Sequence, residues 1–458
     1  INTHRSLLCR SAHQVLHQHP TCCQRNTASR NCCCSNTRPR GRHSIRAACP
    51  GVRSRAACLP RPATATARAW PGICIYPSAP PLPLSRAGQC ARRTSIWKTH
   101  MTDRPDSSSD KQHPFWYARS PVPTPLGIAV HLGWLNGESS ADGVAIRSLR
   151  DSAGHDASSI SDHTLAMSFR QGGSIPAMWA RSHRADTRVI GLSWVDESQL
   201  ILTLPGSGIQ SVKQLRGRRL AIPRRPTDRI DIFRASALRG FLNALSLEGM
   251  TTRDVELIDV EARTLQAVGD DPATELFTLP LGLSSRALYA AEASALLRGA
   301  VDAIYVKGSV GLEVAQLIGA QAVIDIGFHP EPHIRNNNGT PRPLTVNAEV
   351  LANHPDIVAG FLKLVVAAGD WARTHPDETA QYVSHETASA VEWVHAAYGG
   401  NLHHHLGVNL EAESVAALDD FKKFLFEWGF LEADFEIADW IDPRPMADAL
   451  HSPLKRRA

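Results

Sequence analysis

Val301-Asp302-Ala303-Ile304-Tyr305, then Gly308-Ser309, then Ala322-Val323-Ile324-Asp325-Ile326 read as strand, helix opening and strand, the helix running to Ile318. Two strands joined by a helix cannot pair as a hairpin. They lie parallel with the helix packed across them, which is the unit of an α/β sheet. The alternation extends upstream. Thr124-Pro125 opens a helix through Leu126, Ile128, Ala129 and Leu132, with Thr124 as N-cap and proline at the first helical position. Val144–Leu149, Val189–Trp194 and Gln199–Leu204 read as strands, and a helix follows Gly172-Gly173-Ser174. Ser211–Leu215 reads as a helical turn, and Arg219–Ile222 and Val255–Val260 as strands. Between those strands Ile232–Leu247 puts Leu238, Phe241, Leu242 and Leu245 on one helical face, closed by Gly249. Ala287–Leu297 is a further helix.

The alternation breaks at Asn336-Asn337-Asn338-Gly339, which reads as a turn or crossover. Beyond it the chain is mostly helical. Asp356–Arg373 aligns Ile357, Phe361, Leu364, Val365, Ala368 and Trp371 along one stripe before His375-Pro376, and Glu411–Trp428 is another helix. No repeat of solenoid period is visible, and no apolar run reaches the roughly 18 residues of a membrane span.

Charge divides the chain sharply. Residues 1–100 hold no Asp or Glu, all ten cysteines, and a formal charge of +16; the first acid is Asp103. The remainder has 33 basic against 44 acidic residues, a net of −11. A leader of Arg, Pro, Ser, Ala and Cys without periodicity has too little apolar surface to offset chain entropy. Its aromatics are too isolated for a nucleic-acid tail, and its cysteines match no paired zinc spacing. It is expected to be disordered and to represent upstream DNA read through to a start at Met101. Residues 101–113 are expected to be a disordered tail, and 443–458 the C-terminal tail. No export signal stands at or after Met101, so the visible sequence reads as cytoplasmic.

Beyond residue 100 there is no cysteine, which removes thiol nucleophiles and thiolate metal sites there. No P-loop, GxSxG, HExxH or dinucleotide-binding fingerprint stands in a suitable context, so no cofactor and no metal are expected. Three helix openings are more suggestive: Ser120 with Thr124, Gly172-Gly173-Ser174, and Gly308-Ser309. Helix N-termini offer unpaired N–H groups to an anion, and glycine admits close approach. Arg170 just before the glycine pair adds a bidentate charged contact, and Lys307 adjoins Gly308. Each opening read alone is more often a plain helix cap. His403-His404-His405 reads as a solvated run before a metal site, and which of Trp116, Tyr117, Trp194, Arg234 and Tyr305 faces a ligand is not legible.

Several stretches resemble a known family. Ser211-Val212-Lys213-Gln214-Leu215-Arg216-Gly217-Arg218-Arg219-Leu220-Ala221-Ile222, Val301–Tyr305 and the run from His354 to Glu378 are similar to type II solute-binding proteins of the nitrate/sulfonate/taurine branch. The resemblance spans Trp116 to about Asp442. It implies two α/β lobes enclosing a ligand cleft, with lobe 1 at 114–204 and 329–442 and lobe 2 at 205–328. It implies a monomer that binds a small anionic organic solute and docks on an ABC-transporter permease, in the periplasm if the true start is missing. No nucleic acid is expected as a partner. The thiamin-precursor proteins share the scaffold.

Within that branch, Tyr117-Ala118-Arg119-Ser120-Pro121-Val122-Pro123 and Arg170-Gln171-Gly172-Gly173-Ser174-Ile175-Pro176 look most like the hydroxybiphenyl sulfinate desulfinase-like proteins. The resemblance places Ser120 where those enzymes carry a nucleophilic cysteine and Ile160 where they carry a histidine base. Arg170 and Gly173 match the residues that hold the sulfinate. A serine hydroxyl needs an adjacent base and isoleucine is none, so the expected function is anion binding without chemistry. The alternative is a C–S hydrolase that recruits His163.

Overall fold

The computed structural model describes residues 115–135, 146–149, 163–226, 228–262 and 287–451. The expectations placed on residues 1–113, on Val144, on Ile160 and on the last seven residues lie outside that set.

Ten strands form two patterns. β1 (Phe115–Arg119), β2 (Ile146–Ser148), β3 (Ser168–Gln171) and β4 (Thr187–Ser193) lie on one side of the chain's first crossing. β5 (Gln199–Thr203), β6 (Arg219–Arg224), β7 (Glu256–Glu261), β8 (Ile304–Lys307) and β9 (Gln321–Asp325) follow, and β10 (Arg342–Asn347) returns. The first sheet has the order β2-β1-β3-β10-β4. β1 pairs parallel with β2 and β3, whereas β10 runs antiparallel to both its neighbours. In the second half, β5 runs antiparallel between β8 and β9, and β6 pairs parallel with β7. A parallel bridge from Leu220 to Ala303 connects these two pieces, with Asp302 N donating to Arg219 O at 2.8 Å. The running order is therefore β7-β6-β8-β5-β9, the same pattern as the first sheet. In each, the antiparallel strand enters from the other half of the chain.

The helices follow their sequence signals closely. The expected Ile232–Leu247 helix is Ile232–Ser246, capped by Asp231, whose carboxylate accepts from Arg234 N at 3.0 Å. It buries Leu238, Phe241 and Leu245 on the second sheet. Gly240 is required there, because a Cβ would meet the Tyr305 ring at 2.1 Å. The long helix after β10 is Pro355–Ala372, and its buried stripe differs from the expected one. Val358, Phe361, Leu362, Val365, Ala368 and Ala372 are buried, while Ile357, Leu364 and Trp371 are half-buried. The helix is covered from two sides: Phe361 stacks on Phe169 of the sheet at 4.0 Å, and a Cβ on Gly369 would strike Leu406 O at 2.3 Å. The second cover moves the buried face around the helix.

Asn336-Asn337-Asn338 is the crossing between β9 and β10, and it is buried rather than solvated. Asn336 and Asn337 are fully inaccessible. Asn336 Nδ2 donates to Ala417 O at 2.7 Å. Asn337 Nδ2 lies 3.1 Å from Gln199 Oε1, Ser236 O and Tyr305 OH. Asn338 O and Oδ1 accept from Ser174 N and Ile175 N at 2.8 Å each. Three amides thus close a passage that would otherwise bury unpaired backbone. Replacing Asn337 by leucine strands those acceptors, each costing about 1–3 kcal/mol when left unpaired. Urea unfolding of Asn337→Leu is expected to show a stability loss of about 3 kcal/mol with an unchanged slope; a midpoint equal to wild type would contradict the role.

Candidate functional site

A cavity of about 190 Å³ opens where both sheets present their loops. The turn after β1 contributes Ser120, Pro121 and Val122, and the opening of helix Ser174–Ser182 contributes Gly173 and Pro176. The opposite wall comes from Ile232, Phe233, Ser236 and Ala237 on one helix and from Leu288, Tyr289 and Glu292 beside another. Tyr305, Lys307 and the residues Gly308–Val310 close one end with Tyr398 and Thr387; Glu197, Pro223 and Asn338 complete it. The walls are largely apolar and aromatic, with a few polar atoms at fixed points, as ligand pockets require.

Local sequence fixes the Ser120 corner. Ser120 N donates to Gln171 O at 3.1 Å, continuing the β1–β3 ladder. Gln171 is fully buried; its Oε1 accepts from Leu126 N at 3.0 Å and its Nε2 donates to Ser193 Oγ at 3.2 Å. Gly172 is obligatory, since a Cβ there would stand 2.2 Å from Ser120 Oγ. Gly173 is equally confined, with Asn338 Nδ2 2.5 Å from the place of its Cβ.

The three helix openings meet at this cavity, but most of their amides are occupied. Thr124 Oγ1 accepts from Gly127 N at 3.0 Å. Asn338 takes the first two amides of the Ser174 helix, so Ser174 is buried behind the wall. Gly308 N donates to Ser198 O at 2.8 Å. Of the expected residues, Ser120, Gly173, Lys307 and Gly308 line the cavity; Arg170, Gly172 and Ser174 do not. Arg170 is buried in β3 opposite Ala118 and Thr345. Its charge reaches His163, which is also buried; burial first, then Arg170, hold that imidazole well below its ordinary pKa. Tyr305 reaches the cavity, whereas Trp116, Tyr117, Trp194 and Arg234 do not line it. Trp194 instead bonds Asp196, and Arg234 bonds Asp259. His403 and His404 lie ring against ring at 4.0 Å, tilted by 43°, in a short 3-10 turn.

Sequence reasoning passed over Glu197, Glu292, Tyr289, Tyr398 and Phe233. Glu197 is 2% exposed and binds Lys307 Nζ at 2.5 Å and Arg342 Nη2 at 3.4 Å. Burial alone would raise its pKa, but Lys307 and Arg342 outweigh that and hold it below the ordinary value. Lys307 is thereby neutralised within the site. Burial raises the Glu292 carboxyl, which Arg225 only partly opposes. Neither acid carries a sequence signal of its own: Glu197 stands in the polar run Asp196-Glu197-Ser198 and Glu292 in an alanine-rich helix opening.

No family model matches the chain. The 2'-hydroxybiphenyl-2-sulfinate desulfinase of Rhodococcus erythropolis is 23% identical over 367 residues, covering 73% of this chain and 93% of the relative. A cysteine-to-serine variant of the desulfurization enzyme DSZB, solved with biphenyl-2-sulfinic acid, matches with a TM-score of 0.59 at 23% identity, over 74% of this chain and 98% of that one. The periplasmic sulfonate-binding protein SsuA from Methylobacillus flagellatus KT gives 0.53 at 12% identity, over 74% and 93%. The periplasmic aliphatic sulphonate binding protein SsuA from Escherichia coli gives 0.50 at 14%, over 72% and 91%. The fold is that of the periplasmic binding proteins. This agrees with the type II resemblance read from the sequence, and the likeness to the sulfinate desulfinases extends to sequence as well.

Because the pKa of Glu197 is depressed on folding, its ionised form stabilises the protein above the unfolded carboxyl value of about 4.5. That contribution disappears as pH falls through the folded value. Lys307→Met removes one counter-charge and leaves the carboxylate more costly to bury. Acid unfolding followed by circular dichroism is expected to shift to higher pH in Lys307→Met; an unshifted midpoint would contradict the assignment.

Proposed function

We propose that the protein is a solute-binding protein for a small organic anion with an apolar, aromatic body and a sulfonate, sulfinate or carboxylate head. The observation that carries this is one cavity joining the Ser120–Gly173 corner to aromatic walls built from Phe233, Tyr289, Tyr305 and Tyr398. The head sits at that corner, where Ser120 Oγ and the Gly173 amide donate and the buried Arg170 charge, three residues before that glycine, supplies a favourable field. Lys307 and Gly308 face the same space from the second sheet, but Lys307 serves Glu197, so the body and not the head belongs there. The likeness to sulfonate-binding proteins supports delivery to an ABC-transporter permease, and with it a periplasmic location.

A second reading is favoured by one further observation. His163 is buried and kept neutral by its surroundings, and its Nε2 has no hydrogen-bond partner among the described residues. A neutral imidazole is the kind of base that a Ser120 nucleophile lacks at Ile160, although His163 does not line the cavity and would have to move toward Ser120 to serve as one. With it, water and an aryl sulfinate would yield the arene and hydrogen sulfite.

Biphenyl-2-sulfinate at about 100 times its dissociation constant is expected to stabilise the protein by roughly 2.7 kcal/mol in a thermal-shift assay, and Ser120→Ala to weaken binding about tenfold or more in calorimetry. No stabilisation by aryl sulfinates, sulfonates or carboxylates would sink the binding reading. Sulfite release is expected to be absent; release that Ser120→Ala abolishes would replace binding by catalysis.

A further inference from the structure

Arg225 stands just behind the aromatic wall of the cavity. It follows β6 directly, is 8% exposed, and does not line the cavity itself. Its guanidinium carbon sits 3.5 Å from the centroid of the Phe233 ring, and its Nη2 donates to Leu288 O. Its backbone N donates to Asp231 Oδ2 at 3.0 Å, while the other oxygen of Asp231 caps the Ile232–Ser246 helix. Phe233 and Leu288 both line the cavity, as do Tyr289 and Glu292, which feel the same charge. One side chain thus ties the start of Ile232–Ser246 to the segment entering Ala290–Leu297. Its Nε has no hydrogen-bond partner among the described residues. A cation so buried costs desolvation that an apolar residue of similar length would avoid, so its place behind the ring calls for a role.

An aromatic ring is negative on its faces and positive along its rim. A cation against one face draws π density toward itself. The opposite face and the rim of Phe233, the parts left for a guest, become more positive as a result. We infer that Arg225 is a positioning residue that gives this apolar wall a preference for an electron-rich aromatic body, met through its π face at Phe233. The inference rests on the binding role proposed for the same cavity. A saturated ring of equal size buries similar apolar area but has no π face to offer, and a heavily fluorinated ring presents a face of the opposite sign. Tyr289 packs edge-to-face with Phe233 at 6.0 Å, so the ring is held from a second direction.

The test is calorimetry with three compounds that share the sulfinate: biphenyl-2-sulfinate, its analogue with the second ring replaced by cyclohexyl, and its analogue with that ring pentafluorinated. Wild-type protein is expected to bind the parent about fivefold tighter than either analogue. Arg225→Gln, which can still reach Leu288 O but carries no charge, is expected to level the three affinities. Arg225→Lys keeps the cation and is expected to retain most of the preference while losing the fork. A purely structural role would weaken all three compounds equally and leave their ratios as in wild type. Equal wild-type affinities, or wild-type ratios surviving in Arg225→Gln, would overturn the inference while leaving the binding role intact; the wild-type comparison decides by itself if that variant does not fold. Failure of every compound to bind wild-type protein would instead remove the binding role.

Discussion

A carboxylate taken out of water must be surrounded by charge, and Glu197 is such a carboxylate at the point where the chain first passes between its two sheets. It follows β4 and precedes β5, yet its partners come from elsewhere: Lys307 at the end of β8 and Arg342 at the start of β10. Two glycines accommodate it. A Cβ on Gly327 would stand 1.8 Å from Glu197 O, and one on Gly339 would stand 2.1 Å from Glu197 Oε1. Both lie on the second passage, after β9 and before β10. One ionised side chain therefore pins both crossings, and its neutralisation or removal would leave the buried Arg342 and the half-buried Lys307 without their shared carboxylate. The buried asparagines complete the arrangement with hydrogen bonds, linking Gln199, Tyr305 and the opening of the Ser174 helix.

This arrangement also sets the chemistry of the cavity. The cation nearest the middle of the site is engaged by Glu197, and the helix amides nearest the first sheet are engaged by Asn338. What remains for a guest is a hydroxyl at Ser120, a glycine corner that excludes side chains, and a broad aromatic wall. Such a site reads shape and a few hydrogen bonds more than net charge. It differs from the sequence-level picture of three helix ends converging on one anion, because each of those ends gives amides to its own chain.

The strand–helix alternation of the second half was legible almost residue for residue, since its helices are amphipathic and its strands rich in β-branched side chains. The helices Ile232–Ser246 and Ala412–Glu427 fall within a residue or so of their expected bounds. The first sheet was far less visible. β3 is Ser168-Phe169-Arg170-Gln171, a buried strand whose polar residues hide its period. β10 begins Arg342-Pro343 and lies at the interior of a sheet, where proline is normally excluded. It is tolerated because pairing with β3 begins only at Leu344, so the missing N–H falls before that ladder starts. Ser120 and Gly173 were legible from their glycine and proline neighbours. Glu197, Glu292 and Ser236 were not, since a lone acid or serine looks the same in a loop as in a cavity wall.

The shared strand order has a consequence during synthesis. β10 lies between β3 and β4, so those two strands have no ladder between them until the ribosome has released nearly the whole of the second half. For all that time the nascent first sheet exposes two unpaired edges, the kind of surface that recruits foreign strands. The first sheet can close only once β10 has been made, so its completion waits on a strand from the far side of the second sheet.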